Sequence, residues 1–428
     1  NPPFLAAKSS NGNYLVAKTK DAFTTTFATT TENFSEGFNA VLTELERVLR
    51  HGATQGELDR LLLDYNNRIE NYYKERNKVT SKSYIQDYIN NFLNSSPILN
   101  RQQDFDITKR ILPSIKIQDI NSCFVNWLSD TTNISIAAFC PEDDNLPTVE
   151  SIRSQFYNRK QIEVEPYTDN SPTGKLVDDK LIIRVSKVKK EQKGKFGSTV
   201  WTLSNGARII LKPTDLKENQ IRLTVISPGG TSLYDDGHIK NLELMSSIAT
   251  LGGYGDYNKI QLRKLLSGKS TNVVPTVATL REGIVGYTTP KDFETMMQLV
   301  YLQFTSPRKD SIAYNSFINR YRTQLEGKEK DPSTDLSDTL LVAMYNDHPR
   351  AISLKPDDLN KIDYDRSMKI FKERFTDVSD FTFYLVGDFN PDSIKPVIEK
   401  YIGALPASHS KEKYVDRKKY LRKGNYEN

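Results

Sequence analysis

Histidine and cysteine are scarce in this sequence, and their scarcity limits the chemistry available to it. Four histidines and two cysteines occur in 428 residues. The histidines are isolated from one another, at His51, His238, His348 and His409. No imidazoles are therefore spaced to bind zinc together, and no serine or cysteine catalytic triad can be assembled from them. Cys123 and Cys140 do not form a C-x-x-C pair, and Cys140 ends an apolar stretch, so we expect both to be core thiols.

Long apolar runs and a strong excess of charge are also missing. No run approaches the roughly 18 apolar residues of a membrane-spanning helix, so no membrane span is expected. The net charge of +5 is small beside 59 basic and 54 acidic side chains. Such a small and dispersed excess does not favour a nucleic-acid partner. The chain is too long for one ordinary domain and suits two domains of about 200 residues each.

Residues 235–253 have the spacing of a catalytic helix but lack its side chains. Apolar residues recur there at helical period, with aspartates at the start and two glycines at the end. Lys240, Glu243 and Leu244 stand at i, i+3 and i+4. An H-x-x-E-H signature places two zinc-binding histidines and a general base at this spacing. Only the glutamate is present, and the simplest interpretation is a surface ion pair between Lys240 and Glu243.

The first part of the chain is predicted to be mainly helical. The stretch DAFTTTFATTT favours a strand. Helices are predicted at 34–50, 81–92, 117–128 and 149–156. A further long helix is predicted to start at the capping box of Thr54 and Glu57. Residues 134–139 are predicted to form a buried strand. The polar, lysine-rich stretch 157–197 indicates an exposed linker.

A new domain is predicted to begin near Val200. An Asn-Gly pair at residues 205–206 between two strand patterns indicates a β-hairpin. Strands are predicted at 220–226 and 284–289, helices at 293–304, 311–325 and 336–345, and a final helix, strand and helix at 364–375, 381–386 and 391–401.

The order of these elements repeats along the chain. The helix and strand at 117–139 match those at 362–386 with a shift of about 245 residues, and the helix pairs match with a shift of about 255. Two tandem copies of one α+β module are the simplest account. The first copy lacks a counterpart of residues 199–283, so we expect the chain to be an excerpt from a longer tandem array.

Several pieces of the sequence carry a family resemblance. They are LSNGARIILKP, ISPGGTSLYDDG with the helix after it, FYLVGDFNPDSIKPVIEKYIGALP and, in the first copy, ELERVLRHGATQGELDR. With these pieces the chain resembles the M16 zinc metallopeptidases, the family of insulinase, pitrilysin and mitochondrial processing peptidase. The similarity is greatest to large bacterial members described as zinc proteases, and it covers most of the chain outside the linker and the last residues.

The resemblance implies an α+β fold of tandem M16-type modules, also called LuxS/MPP-like, in which helices pack on an antiparallel sheet. Four such modules form two bowl-shaped halves around a chamber. Residues 1–158 would be the latter part of one module without its first strands, and 159–196 a polar linker. Residues 197–410 would be a second module with a degenerate zinc motif, and 411–428 a tail that starts a truncated following segment.

The family pattern G-x-x-H-x-x-E-H-M aligns with GHIKNLELM at 237–245. Lys240 and Leu244 replace the two histidines, and Glu243 stands at the general base. By position, Glu326 is the candidate for the third ligand, although a surface role suits it better. We therefore expect no catalytic residue, no metal site and no bound cofactor in this chain, whereas zinc is expected in a full-length family protein.

The resemblance implies the non-catalytic, peptide-enclosing portion of a zinc metalloendopeptidase whose H-x-x-E-H site lies outside this chain. The expected partners are a peptide substrate and a catalytic M16 half, in the same polypeptide or in a partner chain. By itself the chain is predicted to be inactive. The alternative is a structural or assembly subunit with the same fold and no peptidase role. Bacterial relatives suggest a periplasmic or otherwise exported setting.

Overall fold

The computed structural model describes residues 3–13, 19–140 and 147–424. The chain divides into two compact units, and each unit is assembled from two separate segments. Unit 1 comprises residues 1–63 and 107–171, and unit 2 comprises residues 64–106 and 172–428.

The elements up to residue 158 are mainly helices. In chain order they are β1 (Ala6–Asn13), β2 (Asp21–Ala28), α1 (Phe34–His51), α2 (Gln55–Lys74), α3 (Ser81–Asn94), α4 (Arg101–Ile111), α5 (Ile117–Leu128) and α6 (Val149–Asn158).

The remaining elements alternate between strands and helices. They are β3 (Val188–Lys193), β4 (Thr199–Leu203), β5 (Arg208–Pro213), β6 (Ile221–Pro228), α7 (Ile239–Glu243), α8 (Met245–Ala249), α9 (Lys259–Leu265), β7 (Thr271–Val277), β8 (Arg281–Thr288), α10 (Phe293–Thr305), α11 (Ser311–Glu329), α12 (Pro332–Met344), α13 (Tyr364–Arg374), β9 (Thr382–Gly387) and α14 (Pro391–Tyr401).

Unit 1 is organised by side-chain hydrogen bonds at the turn between α1 and α2. Its strands β1 and β2 pair as an antiparallel hairpin. The predicted capping box forms, since the Thr54 amide donates to Glu57 Oε2 at 2.9 Å and the Glu57 amide donates to Thr54 Oγ1 at 3.3 Å. The Asn121 side chain on α5 accepts from the Ala53 amide at 2.8 Å. The turn is therefore held both by its own cap and by a neighbouring helix.

A buried ion pair lies beneath this turn. Glu46 on α1 and Arg159 are both buried, and Arg159 Nε lies 3.1 Å from Glu46 Oε1. The other carboxylate oxygen of Glu46 accepts from Arg50 Nη2 at 2.9 Å. The Arg159 guanidinium also lies over the Phe156 ring. Both oxygens of the buried carboxylate are thus satisfied, which is the condition under which such a charge is tolerated in an interior.

Unit 2 is built on a seven-stranded sheet with the order β3-β4-β5-β9-β6-β8-β7. All neighbouring strands are antiparallel except β5 and β9. The predicted hairpin forms between β4 and β5, with Gly206 at a φ of 94°. Glycine suits this left-handed conformation because it has no Cβ. The adjacent Asn205 side chain donates from Nδ2 to the Ile402 carbonyl at 2.9 Å, which ties the hairpin to the residue after α14.

One face of this sheet carries the core. Alternate residues of β5, β9, β6 and β8 are fully buried under the helices, among them Ile209, Phe383, Leu223 and Ile284. Phe304 on α10 packs edge-on against Phe375 and Phe381, with ring centroids 5.2 and 5.0 Å apart. Burial of each such side chain contributes about 1.5–3 kcal/mol, so this face accounts for much of the stability of unit 2.

Three sequence predictions for the first 200 residues differ from the structure. Residues 134–139 form no strand and make no ladder with the β1-β2 hairpin, so that prediction is wrong. An apolar run becomes a strand only where a neighbour pairs with its backbone. Cys123 and Cys140 are exposed rather than core thiols. The basic run predicted as linker includes β3, which pairs with β4 at the sheet edge.

The mixed α+β architecture with a largely antiparallel sheet agrees with the predicted fold class. The tandem-repeat interpretation and its domain boundaries stay predictions. Among the helices of the described residues, we find none with the length and apolarity to cross a lipid bilayer.

Candidate functional site

The segment with the degenerate motif follows β6 through a tight glycine turn. Gly230 adopts a φ of 61°, and a Cβ there would lie 2.2 Å from the Ala278 carbonyl oxygen, so only glycine fits. Asp235 then caps a short 3-10 turn by accepting from the Gly237 amide at 3.0 Å. Asn241 fixes the segment to α13: its Oδ1 accepts from the Asp363 amide at 2.7 Å, and its carbonyl accepts from Ser367 Oγ at 3.1 Å.

The predicted continuous helix is interrupted at the second motif position. Helix α7 ends at Glu243 and α8 begins at Met245, and between them Leu244 has a φ of -101° and a ψ of 1°. The Leu244 side chain is buried in the core of unit 2. The i, i+4 relation between positions 240 and 244 is therefore not that of one regular helix.

Lys240, at the first motif position, is held by an ion pair. Its Nζ lies 2.8 Å from Asp358 Oδ2, and Lys361 Nζ lies 3.0 Å from the other oxygen. Burial tends to raise the pKa of Asp358, but the hydrogen bonds from Lys240, Lys361 and the Lys355 amide outweigh it and lower that pKa to about 2. The expected pair between Lys240 and Glu243 is thus replaced by a pair with Asp358.

Glu243 borders a pocket of about 220 Å³ that is also lined by Tyr321, Leu325 and Lys328. Partial burial of its carboxyl group in this pocket raises the pKa of Glu243 above its usual value, although the residue as a whole is exposed. Glu326 is exposed on α11 and does not line the pocket. The structure therefore does not bring Glu326 together with the three motif positions.

Three of the four histidines make separate structural contacts. His51 Nε2 lies 2.9 Å from the Val164 carbonyl, and His348 Nε2 lies 2.8 Å from the Arg417 carbonyl. His238 contacts the Arg366 guanidinium at 3.1 Å. Across residues 3–13, 19–140 and 147–424, no three His, Cys, Asp or Glu side chains are grouped as metal ligands.

The residues at the motif do not fit zinc. Position 240 presents an ammonium group already paired with a carboxylate, and position 244 presents a buried hydrocarbon with no lone pair. Zinc sites in proteins need thiolate, imidazole or carboxylate donors at these positions. The segment can therefore pack and form ion pairs, but it lacks the donors that would hold a metal.

A buried carboxylate near this segment was not anticipated from the sequence. Glu282 on β8 is almost fully buried, and its Oε2 accepts from the Gly230 amide at 2.5 Å. Its other oxygen lies 3.9 Å from Arg374 Nη1. Burial raises the pKa of Glu282 to about 7. The only sequence signal was an acidic residue inside an apolar strand pattern.

The segment after residue 406 packs beside the same turn. Glu412 binds the Arg374 guanidinium through both oxygens, at 2.6 and 3.2 Å. The Val415 amide donates to Ser232 Oγ at 2.9 Å, and Arg417 Nε donates to the Ser232 carbonyl at 2.6 Å. The charged groups near the degenerate motif are therefore engaged by other parts of unit 2.

Comparisons with known proteins find that the sequence is similar to zinc proteases. No protein-family model matches the chain. A protein of Arabidopsis thaliana named zinc protease PQQL-like is 24% identical over 367 residues, which cover 84% of this chain and 35% of that protein. The probable zinc protease PqqL of Escherichia coli is 20% identical over 402 residues, covering 89% of this chain and 41% of that protein. The probable zinc protease PqqL of Haemophilus influenzae is 19% identical over 376 residues, covering 87% of this chain and 40% of that protein. The chain thus spans 35 to 41% of the length of these relatives.

Two solved structures share the fold. The periplasmic protease PqqL from Escherichia coli matches with a TM-score of 0.52 and 17% identity, over 94% of this chain and 44% of that one. A mutant of the ferredoxin protease FusC, solved in complex with Arabidopsis ferredoxin, matches with a TM-score of 0.56 and 14% identity, over 97% of this chain and 46% of that one.

Proposed function

We propose that the chain, which is similar to zinc proteases and resembles the M16 peptidases in sequence, is a non-catalytic, peptide-enclosing portion of an M16-type zinc metalloendopeptidase. In this proposal the H-x-x-E-H site lies outside the chain, in the same polypeptide or in a partner. The chain contributes surfaces that hold a peptide while the catalytic half hydrolyses it.

The observation that carries the proposal is the state of the motif positions. Lys240 forms an ion pair with Asp358, and Leu244 is buried at a break between two short helices. A single substitution to histidine at either position would leave the other position unable to bind a metal. The segment thus retains the sequence position of a catalytic helix but has side chains suited to packing.

The sheet of unit 2 supports a peptide-holding role. In the described part of the chain, the outer strands β3 and β7 each pair with one neighbouring strand, which leaves a sheet edge to which an extended peptide can add. β3 is exposed along most of its length, whereas Pro275 removes one donor from β7. β3 is therefore the better edge for strand addition.

The test measures binding and cleavage of the same peptides by the 428-residue chain. We expect fluorescence anisotropy to detect binding of labelled unfolded peptides and mass spectrometry to find them intact after prolonged incubation. Cleavage that a chelator abolishes would contradict the proposal. Absence of both binding and cleavage would instead favour a structural or assembly subunit.

A further inference from the structure

The face of the unit 2 sheet opposite the core is open and carries charge of one sign. Directly paired residues of neighbouring strands share a face of a sheet. From the register, Ile210, Tyr384, Thr224 and Val285 lie side by side across four strands, with Val274 on the edge strand β7. We call this surface the open face.

Basic side chains are distributed over the open face. The strand register and alternation place five of them there, namely Lys190, Arg208, Lys212, Arg222 and Arg281. Four are exposed and Lys212 is half-buried. Within the described residues, these five side chains form no ion pair with a carboxylate.

Acidic side chains are confined to the other face. The seven strands contain two glutamates, Glu191 and Glu282. Glu191 pairs with buried Trp201, and Glu282 is buried beside Gly230, so both belong to the covered face. Because both strand glutamates belong to the covered face, the basic side chains of the open face have no acidic partner on the strands of the sheet.

Apolar groups fill the space between these cations. Tyr287 and Tyr384 are exposed, as are Val285 and Val386 in the middle of the sheet. Central strands of a protein with one solvated sheet face normally present polar residues there. A contiguous apolar surface with polar edges is typical of an interaction site.

We propose that the open face binds an acidic stretch of extended polypeptide, whose carboxylates contact Arg208, Arg222 and Arg281 and whose apolar side chains lie on the tyrosines and valines. This inference rests on the proposed function and names its substrate class. Arginine suits the role because its planar guanidinium binds carboxylates through two hydrogen bonds.

The spacing of the arginines sets the length of the partner. Arg222 and Arg281 lie on neighbouring strands, six positions apart in the register, because Arg281 pairs with Pro228. This separation is about 20 Å. Arg208 lies two strands from Arg222 and four positions along them, because Arg208 aligns through Thr382 with Ile226, so these two arginines are about 16 Å apart. One carboxylate cannot contact arginines that lie this far apart. The partner therefore needs several acidic residues within a segment of roughly six residues or more.

The composition of the open face favours a polypeptide over a nucleic acid. Single-stranded nucleic acids bind by stacking bases on aromatic rings along a basic groove. Here most of the exposed apolar groups are valines, which offer contact area to aliphatic side chains but no planar surface for a base. A mixed acidic and apolar peptide matches both kinds of group.

The test compares two labelled peptides of about twelve residues, enough to cross the face. One alternates glutamate with valine, serine and threonine, and the other has glutamine in place of each glutamate. We expect the 428-residue chain to bind the acidic peptide at least about tenfold more tightly, with the difference decreasing as salt is added.

Paired variants locate the binding site. Arg208→Gln combined with Arg222→Gln should weaken binding of the acidic peptide about 4- to 25-fold, from about two- to fivefold per exposed charge. Lys369→Gln combined with Lys372→Gln removes the same charge from exposed positions on α13, outside both the open face and β3, and should change the affinity less than about twofold. Unchanged circular dichroism and melting temperature of both variants exclude misfolding.

Each other outcome has a distinct meaning. Equal affinity for the two peptides would overturn this inference but leave the proposed function standing, whereas binding of neither would overturn both. Equal weakening by the two variant pairs would show a response to net charge alone and would overturn the assignment to the open face. Displacement of the acidic peptide by a much tighter-binding oligonucleotide would identify a nucleic-acid surface instead.

Discussion

Unit 2 and unit 1 differ in how well their sheets protect apolar side chains. In unit 2 the central strands β6 and β9 have neighbours on both sides, and Phe383 and Leu385 are completely buried. In unit 1 the two strands of the hairpin pair with each other and with no further strand among the described residues, and neither contains a buried residue. A two-stranded ribbon is marginal by itself, whereas a wide sheet covered by helices forms a core.

The two units therefore depend on different interactions. Unit 2 is stabilised by its aromatic and aliphatic core, while unit 1 combines a smaller set of buried apolar residues with the buried ion pair of Glu46 and Arg159. The two tryptophans provide separate reporters, since Trp127 lies in unit 1 and Trp201 in unit 2. Replacing either one with phenylalanine leaves a single reporter for the other unit.

The largest effect is expected for Phe304→Ala in unit 2. This side chain is buried against Phe375 and Phe381, so its removal leaves a cavity that should lower the free energy of unfolding by about 4 kcal/mol. Urea unfolding followed by Trp201 fluorescence, in a Trp127→Phe background, measures the change. Phe139→Ala in unit 1 is the control, followed by Trp127 fluorescence in a Trp201→Phe background: its ring is 97% exposed, so less than about 0.5 kcal/mol should be lost. Similar losses in both variants would contradict the contrast between the units.

A somewhat smaller effect is expected for Glu46→Gln in unit 1. The neutral side chain leaves the buried Arg159 guanidinium without its counter-charge, which should cost about 3 kcal/mol. Unfolding is followed by Trp127 fluorescence in a Trp201→Phe background. Glu44→Gln breaks only an exposed pair with Arg47 and should cost less than about 0.5 kcal/mol. If Glu46→Gln is equally mild, the ion pair does not stabilise unit 1.

The pH dependence of unit 2 should depend on Glu282. Burial raises the pKa of this carboxyl from 4.5 to about 7, so the folded state keeps a proton that the unfolded state releases between these values. The stability due to the protonated form is fully present below pH 4.5 and is lost as the pH rises through 7. In the parent, the titration of Glu282 should lower the free energy of unfolding by roughly 2 kcal/mol between about pH 5 and pH 8. Glu282→Gln should remove this contribution, because glutamine does not titrate.

This dependence is measured by urea unfolding with Trp201 as the reporter. Glu191→Gln, on the exposed edge strand β3, serves as the control and should retain the parental pH profile. A Glu282→Gln profile identical to that of the parent would mean that another group titrates in this range.

The smallest effect is expected from restoring histidines at the motif. Lys240→His combined with Leu244→His supplies two imidazoles, but the helix break at Leu244 keeps them from the regular i, i+4 geometry, and Glu326 does not line the pocket beside Glu243. Isothermal titration should find weak zinc binding in the double variant and negligible binding in the parent. Tight stoichiometric binding by the parent would contradict the non-catalytic assignment of this segment.

Residue types and spacing at positions 240, 243 and 244 are local properties that the sequence shows directly, whereas their geometry is not. That Lys240 and Leu244 stand in place of two histidines comes from the family resemblance and stays a prediction. The partner of Lys240 was not evident, since Asp358 lies 118 residues away along the chain. The burial of Glu282 was likewise undetected, because an acidic residue in a strand pattern normally faces solvent.

The sequence alone determined the main helices, the Asn-Gly hairpin and the capping box at Thr54, since each depends on neighbouring residues whose spacing and backbone preferences are local. Only the tertiary structure decided that residues 134–139 stay outside a sheet, that the basic run at 188–193 joins one, and that the open face gathers cations without acids. These outcomes depend on which distant strands pair and in which register, and strand pairing is set by contacts across the whole domain.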